Sequence, residues 1–321
     1  MITQIKKCRI CRNTDLVPVV DLGEQYLTGI FPSHKADTLA KGPLRLMKCH
    51  GGENVCGLLQ LEHNYDLNQL YGENYGYRSG LNASMVSHLR SKVAIIIERC
   101  DLNKGDLVID IGSNDGTTLA AYPNHLQLVG IDPTGEKFGI LYEKHIVLIP
   151  EFFCSDLVTS SYPGKKAKVV TSFSMFYDLE DPVDFVCQVA AILDPHVGIW
   201  VLEQSYMPLM LERTAYDTIC HEHLEYYGLI QIVWLMGKAG LEVVDVELND
   251  VNGGSFSVIV AHKGSRHADV ENMADRLIAS ENSKGLASLE PYKQFSHKTE
   301  ENKHSSQYFV KQAKKEGKRI C

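Results

Sequence analysis

The run Leu107–Thr117, LVIDIGSNDGT, constrains the fold of this chain more than any other stretch. An apolar strand ends in Asp110 and enters a turn carrying Gly112 and Gly116. A second apolar strand follows and closes in Asp132, within Val129-GIDPT-Thr134. Glycine in such a turn lets backbone amides approach a ligand with no Cβ in the way. An acidic residue closing the second strand is placed to accept hydrogen bonds from a ribose diol. The loop is not G-x-G-x-x-G, and it holds Asn114 and Asp115. A carboxylate inside the loop suits a cationic ligand better than a pyrophosphate. S-adenosylmethionine, with an ammonium, a sulfonium and a ribose diol, meets that description, and NAD takes second place.

The surrounding pattern extends the strand–turn–strand into a domain. Leu107–Ile111, Leu126–Ile131, Lys168–Ser172, Gly198–Glu203, Leu241–Glu247 and Phe256–His262 read as strands. Helical stretches such as Pro182–Leu193 and Leu229–Ala239 lie between several of them. Strands alternating with helices predict a doubly wound α/β fold, Rossmann-like, with a mostly parallel sheet. The last pair, with no long helix between them, predicts an antiparallel edge hairpin. Upstream, Asn82–Arg99 repeats apolar residues at three- and four-residue steps and reads as a helix. Downstream, Ala268–Ser280 and Tyr292–Glu316 also read as helical, and Gly317–Cys321 reads like the start of a further strand. The chain thus looks cut off. The expected divisions are 1–64, a connector at 65–99, the α/β domain at 100–262, and a helical segment at 263–321.

Nine cysteines occur, and the N-terminus has no apolar stretch of the export type, so they read as thiols or metal ligands. Cys8 and Cys11 have the spacing of a zinc knuckle, while Cys49 and Cys56 are wider apart. Four thiolates complete a tetrahedron with no open position, which makes such a site structural. His50 competes as a ligand. A formal charge of −8 argues against nucleic-acid and anionic-membrane partners. No apolar run is long enough to span a bilayer, and the expected location is cytoplasmic. The sequence leaves the oligomeric state open.

After the strand Gly198–Gln204 comes Tyr216–Tyr227, YDTICHEHLEYY. A titratable cluster beyond a strand's carboxyl end lies where open α/β sheets bind ligands. His221, Glu222 and His223 diverge on any regular backbone, so one imidazole faces the pocket with a carboxylate orienting it. Zincin histidines stand four apart, and these stand two apart, which argues against a catalytic metal. Tyr75-GYRSG-Gly80 mixes aromatics, a cation and a hydroxyl suited to a sugar nucleotide, through Tyr75, Tyr77 and Ser79. Asn252-GGS-Ser255 reads equally as a ligand loop or a hairpin turn.

In order along the chain, CRIC, CGLLQL, YGYRSG, DIGSNDG, YDTICHEHLEYY and NGGS resemble the sugar C-methyltransferases that act on nucleotide-linked 4-keto-deoxyhexoses. The resemblance implies a zinc-binding N-terminal domain, a class I methyltransferase domain binding S-adenosylmethionine, and a C-terminal domain of related fold. It places zinc on Cys8, Cys11, Cys49 and Cys56. It places the cofactor on Asp110, Gly112, Asn114, Asp115, Gly116 and Asp132. His223 becomes the base, with Glu222 beside it and His221 in the same string, and Tyr75, Tyr77, Ser79 and Asn252 lie against the substrate. The chain departs from the family at Cys220, where relatives often carry Tyr, and at Asn252, where they carry His. It also departs after the third strand, where a relative's histidine is replaced within Ser174–Leu179. The implied reaction is methylation of a carbon beside the sugar ketone through an enolate. Its alternatives are an inactive cofactor-binding remnant lacking most of the C-terminal domain, and an NAD-linked nucleotide-sugar oxidoreductase.

Overall fold

In a computed structural model, residues 2–28, 34, 39–52, 54–66, 70–71, 75–267 and 273–319 are described. The first strands are β1 (Thr3–Gln4), β2 (Leu16–Tyr26), β3 (Lys41–Cys49), β4 (Leu59–Leu61) and β5 (His63–Asn64). Helix α1 (Ala83–Arg99) follows, its first turn capped by the Asn82 side chain accepting the Ser84 N–H. Its buried face, Leu89, Val93 and Ile96, is the apolar stripe that the periodicity predicts.

The α/β domain contains β6 (Leu107–Ile111), β7 (Gln127–Ile131), α2 (Gly135–Phe138), β8 (Ile146–Ile149), α3 (Ser155–Ser161) and β9 (Ala167–Phe173). It continues through α4 (Pro182–Ile192), β10 (Ile199–Ser205), α5 (Met207–Arg213), β11 (Glu225–Tyr226) and α6 (Leu229–Lys238). The edge hairpin β12 (Leu241–Asn249) and β13 (Ser255–His262) completes the sheet, and α7 (Met273–Ser283) and α8 (Glu290–Lys315) follow. The large sheet runs β12-β13-β10-β9-β6-β7-β8. β8, β7, β6, β9 and β10 pair in parallel, and β13 is antiparallel to both β10 and β12. All five residues of β6 are buried, as a parallel strand covered on both faces requires. β8 is absent from the expected strands. It is four residues long at the sheet edge, with Val147 48% exposed, too short and mixed to register as a pattern.

The smaller sheet runs β11-β4-β3-β2 and is antiparallel. Its outer strand β11 is lent by the chain just beyond the H-E-H string, so the two sheets are joined there. Tyr292 and Phe295 of α8 pack with Met207 and Met210 of α5 over Val20, Leu46 and Leu61 of this sheet. The predicted helix at 268–280 appears as α7 from Met273, and 268–272 fall outside the described residues. Glu281 of α7 accepts the Leu229 and Ile230 N–H groups at 2.6 and 3.0 Å and the Tyr206 hydroxyl at 2.7 Å. It thereby caps the exposed amides of α6, which begins at Gly228 with no side chain of its own. Among the described residues no helix is long and apolar enough to cross a membrane.

Candidate active site

A cavity of about 530 Å³ opens at the carboxyl ends of β6, β7 and β9. That volume suits a small-molecule ligand. Asp110, Gly112, Ser113, Asn114, Asp132 and Thr134 line it together with Tyr71, Tyr75, Tyr77, Phe152, Phe153 and Met175. Four carboxylic acids, Asp110, Asp132, Asp178 and Glu180, are in the lining, and no Lys or Arg is among its described residues. An acid-lined cavity with aromatic walls fits a cationic cofactor carrying a purine. Gly112 has φ +75°, and a Cβ there would come within 2.8 Å of the Met175 side chain, so the site needs glycine.

The acids at the strand ends divide their work. Asp110 is buried at the end of β6 and accepts the Thr171 hydroxyl at 2.5 Å. Burial pushes its carboxyl up to about 7. Asp132 accepts the Asn114 N–H at 2.7 Å through one oxygen and the Thr134 N–H at 2.7 Å through the other. It holds the 112–116 loop against the end of β7, and it is in the cavity lining.

Asp115 and Gly116 stand elsewhere than expected. Neither lines the cavity. Asp115 accepts the Gly80 N–H at 3.0 Å and the Thr117 hydroxyl at 2.6 Å, and pairs with Arg78 at 3.4 Å. Asn114, at φ 49°, accepts the Ser79 N–H at 3.0 Å and donates to the Tyr77 carbonyl at 3.2 Å. The polar residues of the loop therefore fasten the Tyr77–Gly80 segment over the cavity, bringing Tyr77 and Ser79 into its lining. Gly116 faces the Tyr142 ring, with which a Cβ would be in contact at 3.2 Å. Asn252 is exposed at the β12–β13 turn, at φ 51°, and stays outside the cavity, so the hairpin reading replaces the ligand reading.

The H-E-H string separates into three environments. His221 is fully buried, its Nδ1 facing the Thr28 N–H at 3.4 Å and its Nε2 3.2 Å from the Gly42 carbonyl. Both nitrogens are engaged in the seam with the small sheet, and burial lowers its pKa. The expectation of a catalytic His221 is corrected: it is a core histidine. Glu222 is half-buried, and burial raises its carboxyl above the ordinary value while the nearby His223 opposes the rise. His223 Nδ1 lies 2.9 Å from the Thr218 carbonyl. A carbonyl only accepts, so Nδ1 carries the hydrogen and Nε2 is left with a lone pair. Its ring packs on Tyr177 at 4.1 Å between centroids. His223 is not in the cavity lining; the cavity wall on this side contains Tyr71, Tyr75 and Asp178.

Asp178 and Tyr71 are site residues that sequence reasoning missed. The Tyr71 hydroxyl donates to Asp178 Oδ2 at 2.8 Å, and Asp178 Oδ1 is buried with no partner among the described residues. Burial holds this carboxyl well above the usual range, with His223 the chief opposing influence. The available signal was Ser174–Leu179 lying directly after β9, where ligand residues gather.

Cys8, Cys11, Cys49 and Cys56 converge, all four sulfurs within 4.8 Å of one another. Cys8 and Cys56 are 3.4 Å apart, and Cys11 and Cys49 are 3.5 Å apart. Thiolates bound to one zinc lie roughly 3.8 Å apart, so the set fits a closed tetrahedral site. Hydrogen bonds from Cys56 and Cys8 hold the Cys49 thiol far below its ordinary pKa. His50 is not part of the cluster.

Residues 8–71 match a zinc binding domain, residues 85–246 a methyltransferase domain, and residues 250–321 a C-methyltransferase C-terminal domain. The middle match covers half of the chain. The third overturns the expectation that the C-terminal domain is lacking, and with it the ground for the inactive-remnant reading. C-methyltransferase NovU of Streptomyces niveus is 29% identical over all of this chain and 76% of its own length. Among solved structures, an S-adenosylmethionine-dependent methyltransferase from Clostridium acetobutylicum is 12% identical, covering 56% of this chain and 92% of its own, with a TM-score of 0.44. Magnesium protoporphyrin IX methyltransferase from Synechocystis is also 12% identical, covering 56% and 83%, with a TM-score of 0.40. The methyltransferase match sets aside the NAD-linked reading.

Proposed function

The chain belongs to the methyltransferase family, and on that premise we propose that it methylates a carbon beside the ketone of a nucleotide-linked 4-keto-deoxysugar. It is an S-adenosylmethionine-dependent enzyme with the C-methyltransferase C-terminal domain. The observation that supports a base here is His223 Nδ1 at 2.9 Å from the Thr218 carbonyl, which in the neutral ring leaves the lone pair on Nε2.

Carbon is a poor nucleophile until a proton is removed beside a carbonyl. His223 Nε2 takes that proton, and the electron pair spreads onto the ketone oxygen. The Thr218 carbonyl holds the ring in place, and the neighbouring Glu222 carboxylate favours the imidazolium that forms. Tyr75 and Tyr77 are in the cavity lining, and in this reading their hydroxyls donate to the enolate oxygen. Bound S-adenosylmethionine supplies an electrophilic methyl group to the carbon. Asp110, Gly112, Asn114 and Asp132 would hold it, with Asp132 on the ribose diol. Contacts between a base and its substrate tighten when ligands fill the site, which brings His223 to the acceptor. The four thiolates would hold zinc for structure, since a closed tetrahedron leaves no position for substrate. With its cysteines read as thiols, the enzyme belongs in the cytoplasm.

The test is mass spectrometry of a panel of nucleotide 4-keto-deoxyhexoses incubated with enzyme and S-adenosylmethionine in deuterated water. A product heavier by one methyl group is expected, with deuterium entering beside the ketone of substrate that is reprotonated from solvent instead of methylated. Methylation of oxygen, or no reaction with any 4-keto sugar while other acceptors react, contradicts the reading.

A further inference from the structure

Arg9 stands between two of the clustered thiols, in Cys8-Arg9-Ile10-Cys11, yet its side chain turns into the protein and is 2% exposed. Its N–H donates to Gln60 Oε1 at 3.1 Å. The guanidinium donates to the Leu61 carbonyl at 2.7 Å, the His63 carbonyl at 3.3 Å and the Asn64 side chain. Its Nε lies 3.5 Å from Glu225 Oε1, and the Glu225 side chain is wholly buried. Glu225 opens β11 and faces Gln60 across the β4–β11 pair.

β11 begins two residues beyond His223. The residue between, Leu224, is tied on both sides: its N–H donates to the Tyr177 carbonyl at 2.7 Å, and its carbonyl accepts the Leu61 N–H at 2.9 Å. One link reaches the turn that follows β9 of the large sheet, and the other reaches the small sheet. His223 is therefore mounted on the seam, and Arg9 is hydrogen-bonded on the small-sheet side of that seam at Leu61, His63 and Asn64, with Glu225 at ionic range but not hydrogen-bonded to it.

We propose that Arg9 is a positioning residue, which carries the geometry of the four-thiol knuckle through Glu225 and the β4–β5 carbonyls to His223. A buried ion pair is a poor device for stability, because two well-packed apolar side chains in its place do as well or better. Its use here is orientation. A planar fork with several donors fixes two strands at once, which a methylene chain cannot do. The proposal rests on His223 being the base.

The test is the double variant Arg9→Met/Glu225→Met, which removes both charges and leaves neither orphaned. Bound zinc, melting temperature, S-adenosylhomocysteine affinity, kcat and the ¹H–¹⁵N signal of the His223 Nδ1–H are measured together. Zinc and affinity are expected to match the parent protein, and the melting temperature to fall by a few degrees, because Arg9→Met leaves the Leu61 and His63 carbonyls without their donor. The expected kcat is lower by about tenfold or more, as for a misplaced reacting group, and the Nδ1–H signal is lost to solvent exchange. A parental kcat with an intact Nδ1–H signal overturns the proposal and makes the pair merely structural. Should the double variant lose zinc or fail to fold, Glu225→Gln takes its place, since it leaves the knuckle sequence untouched. A lowered kcat with a lost Nδ1–H signal in that variant supports the proposal, and parental values of both overturn it. Full turnover in His223→Ala would instead remove the base assignment, while the Nδ1–H signal still reports whether Arg9 positions the ring.

Discussion

The cavity and the histidine seam beside it are assembled by different means. On the cofactor side, Asp110, Gly112, Asn114 and Asp132 come from two adjacent strands and the turns that follow them, within one short stretch of chain. On the histidine side, the ring environments are made by partners far away in sequence. Thr28 and Gly42 enclose His221, Tyr177 packs on His223, and Tyr71 bonds Asp178 across 107 positions. A local motif can be copied between folds with its function intact. A seam between two sheets stands only when both sheets stand correctly, so the proposed role of His223 depends on the small domain.

The largest expected effect breaks the comparison at the seam. Cys8→Ser removes one of four ligands and with it the staple of the small sheet. Turnover should fall by about a hundredfold or more, since general-base catalysis depends on placement. S-adenosylhomocysteine affinity should stay near the parent value, because the residues proposed to hold the cofactor belong to the other sheet. Calorimetric titration beside a zinc assay checks both, and equal loss of affinity and turnover would mean that the two sides are not separable.

The next effect sharpens the cofactor side. Asp110, with a pKa of about 7, ionises as pH rises through neutrality. Binding of the cationic S-adenosylmethionine should tighten by about tenfold between pH 6 and 8, following the ionised fraction. S-adenosylhomocysteine, lacking the sulfonium, should show a smaller change, and Asp110→Asn should flatten both. The stability sign is opposite. The folded pKa lies above the unfolded value of 3.8, so this group's stabilising contribution is complete below pH 3.8 and is lost as pH rises towards 7. Asp110→Asn, keeping an acceptor for Thr171, should therefore raise the melting temperature of the ligand-free protein at pH 8. A lowered melting temperature there would contradict the burial argument.

The smallest effect is expected at Asn252. It is exposed and outside the cavity, so Asn252→Gly, which suits its positive φ, should leave KM and kcat unchanged. A raised KM for the sugar nucleotide would restore the ligand role that the position suggested.

The same contrast explains what the sequence makes legible. The strand β6, the glycine turn and the acid closing β7 are legible because period, turn chemistry and chain order all lie within a few residues. The antiparallel edge hairpin is legible from the missing helix between β12 and β13. The assignment of Asp115 to the cofactor fails because its partners, Gly80 and Arg78, approach from another segment. His221 and His223 look alike in sequence. Only the Gly42 and Thr218 carbonyls tell them apart, and neither sits at a spacing that marks it. Asp178 is hidden for a related reason: its character comes from burial beside Tyr71, not from its neighbours in the chain. The joining of the two sheets through the two-residue β11 lies below the length at which a strand shows as a pattern.

The central claim, that His223 is the base and stands apart from cofactor binding, is tested most directly by His223→Ala. Deuterium exchange beside the ketone and S-adenosylhomocysteine affinity are measured on the same preparation. Exchange reduced to the enzyme-free rate, with affinity unchanged, is the predicted result. Exchange at the parental rate, or loss of exchange and affinity together, would contradict it.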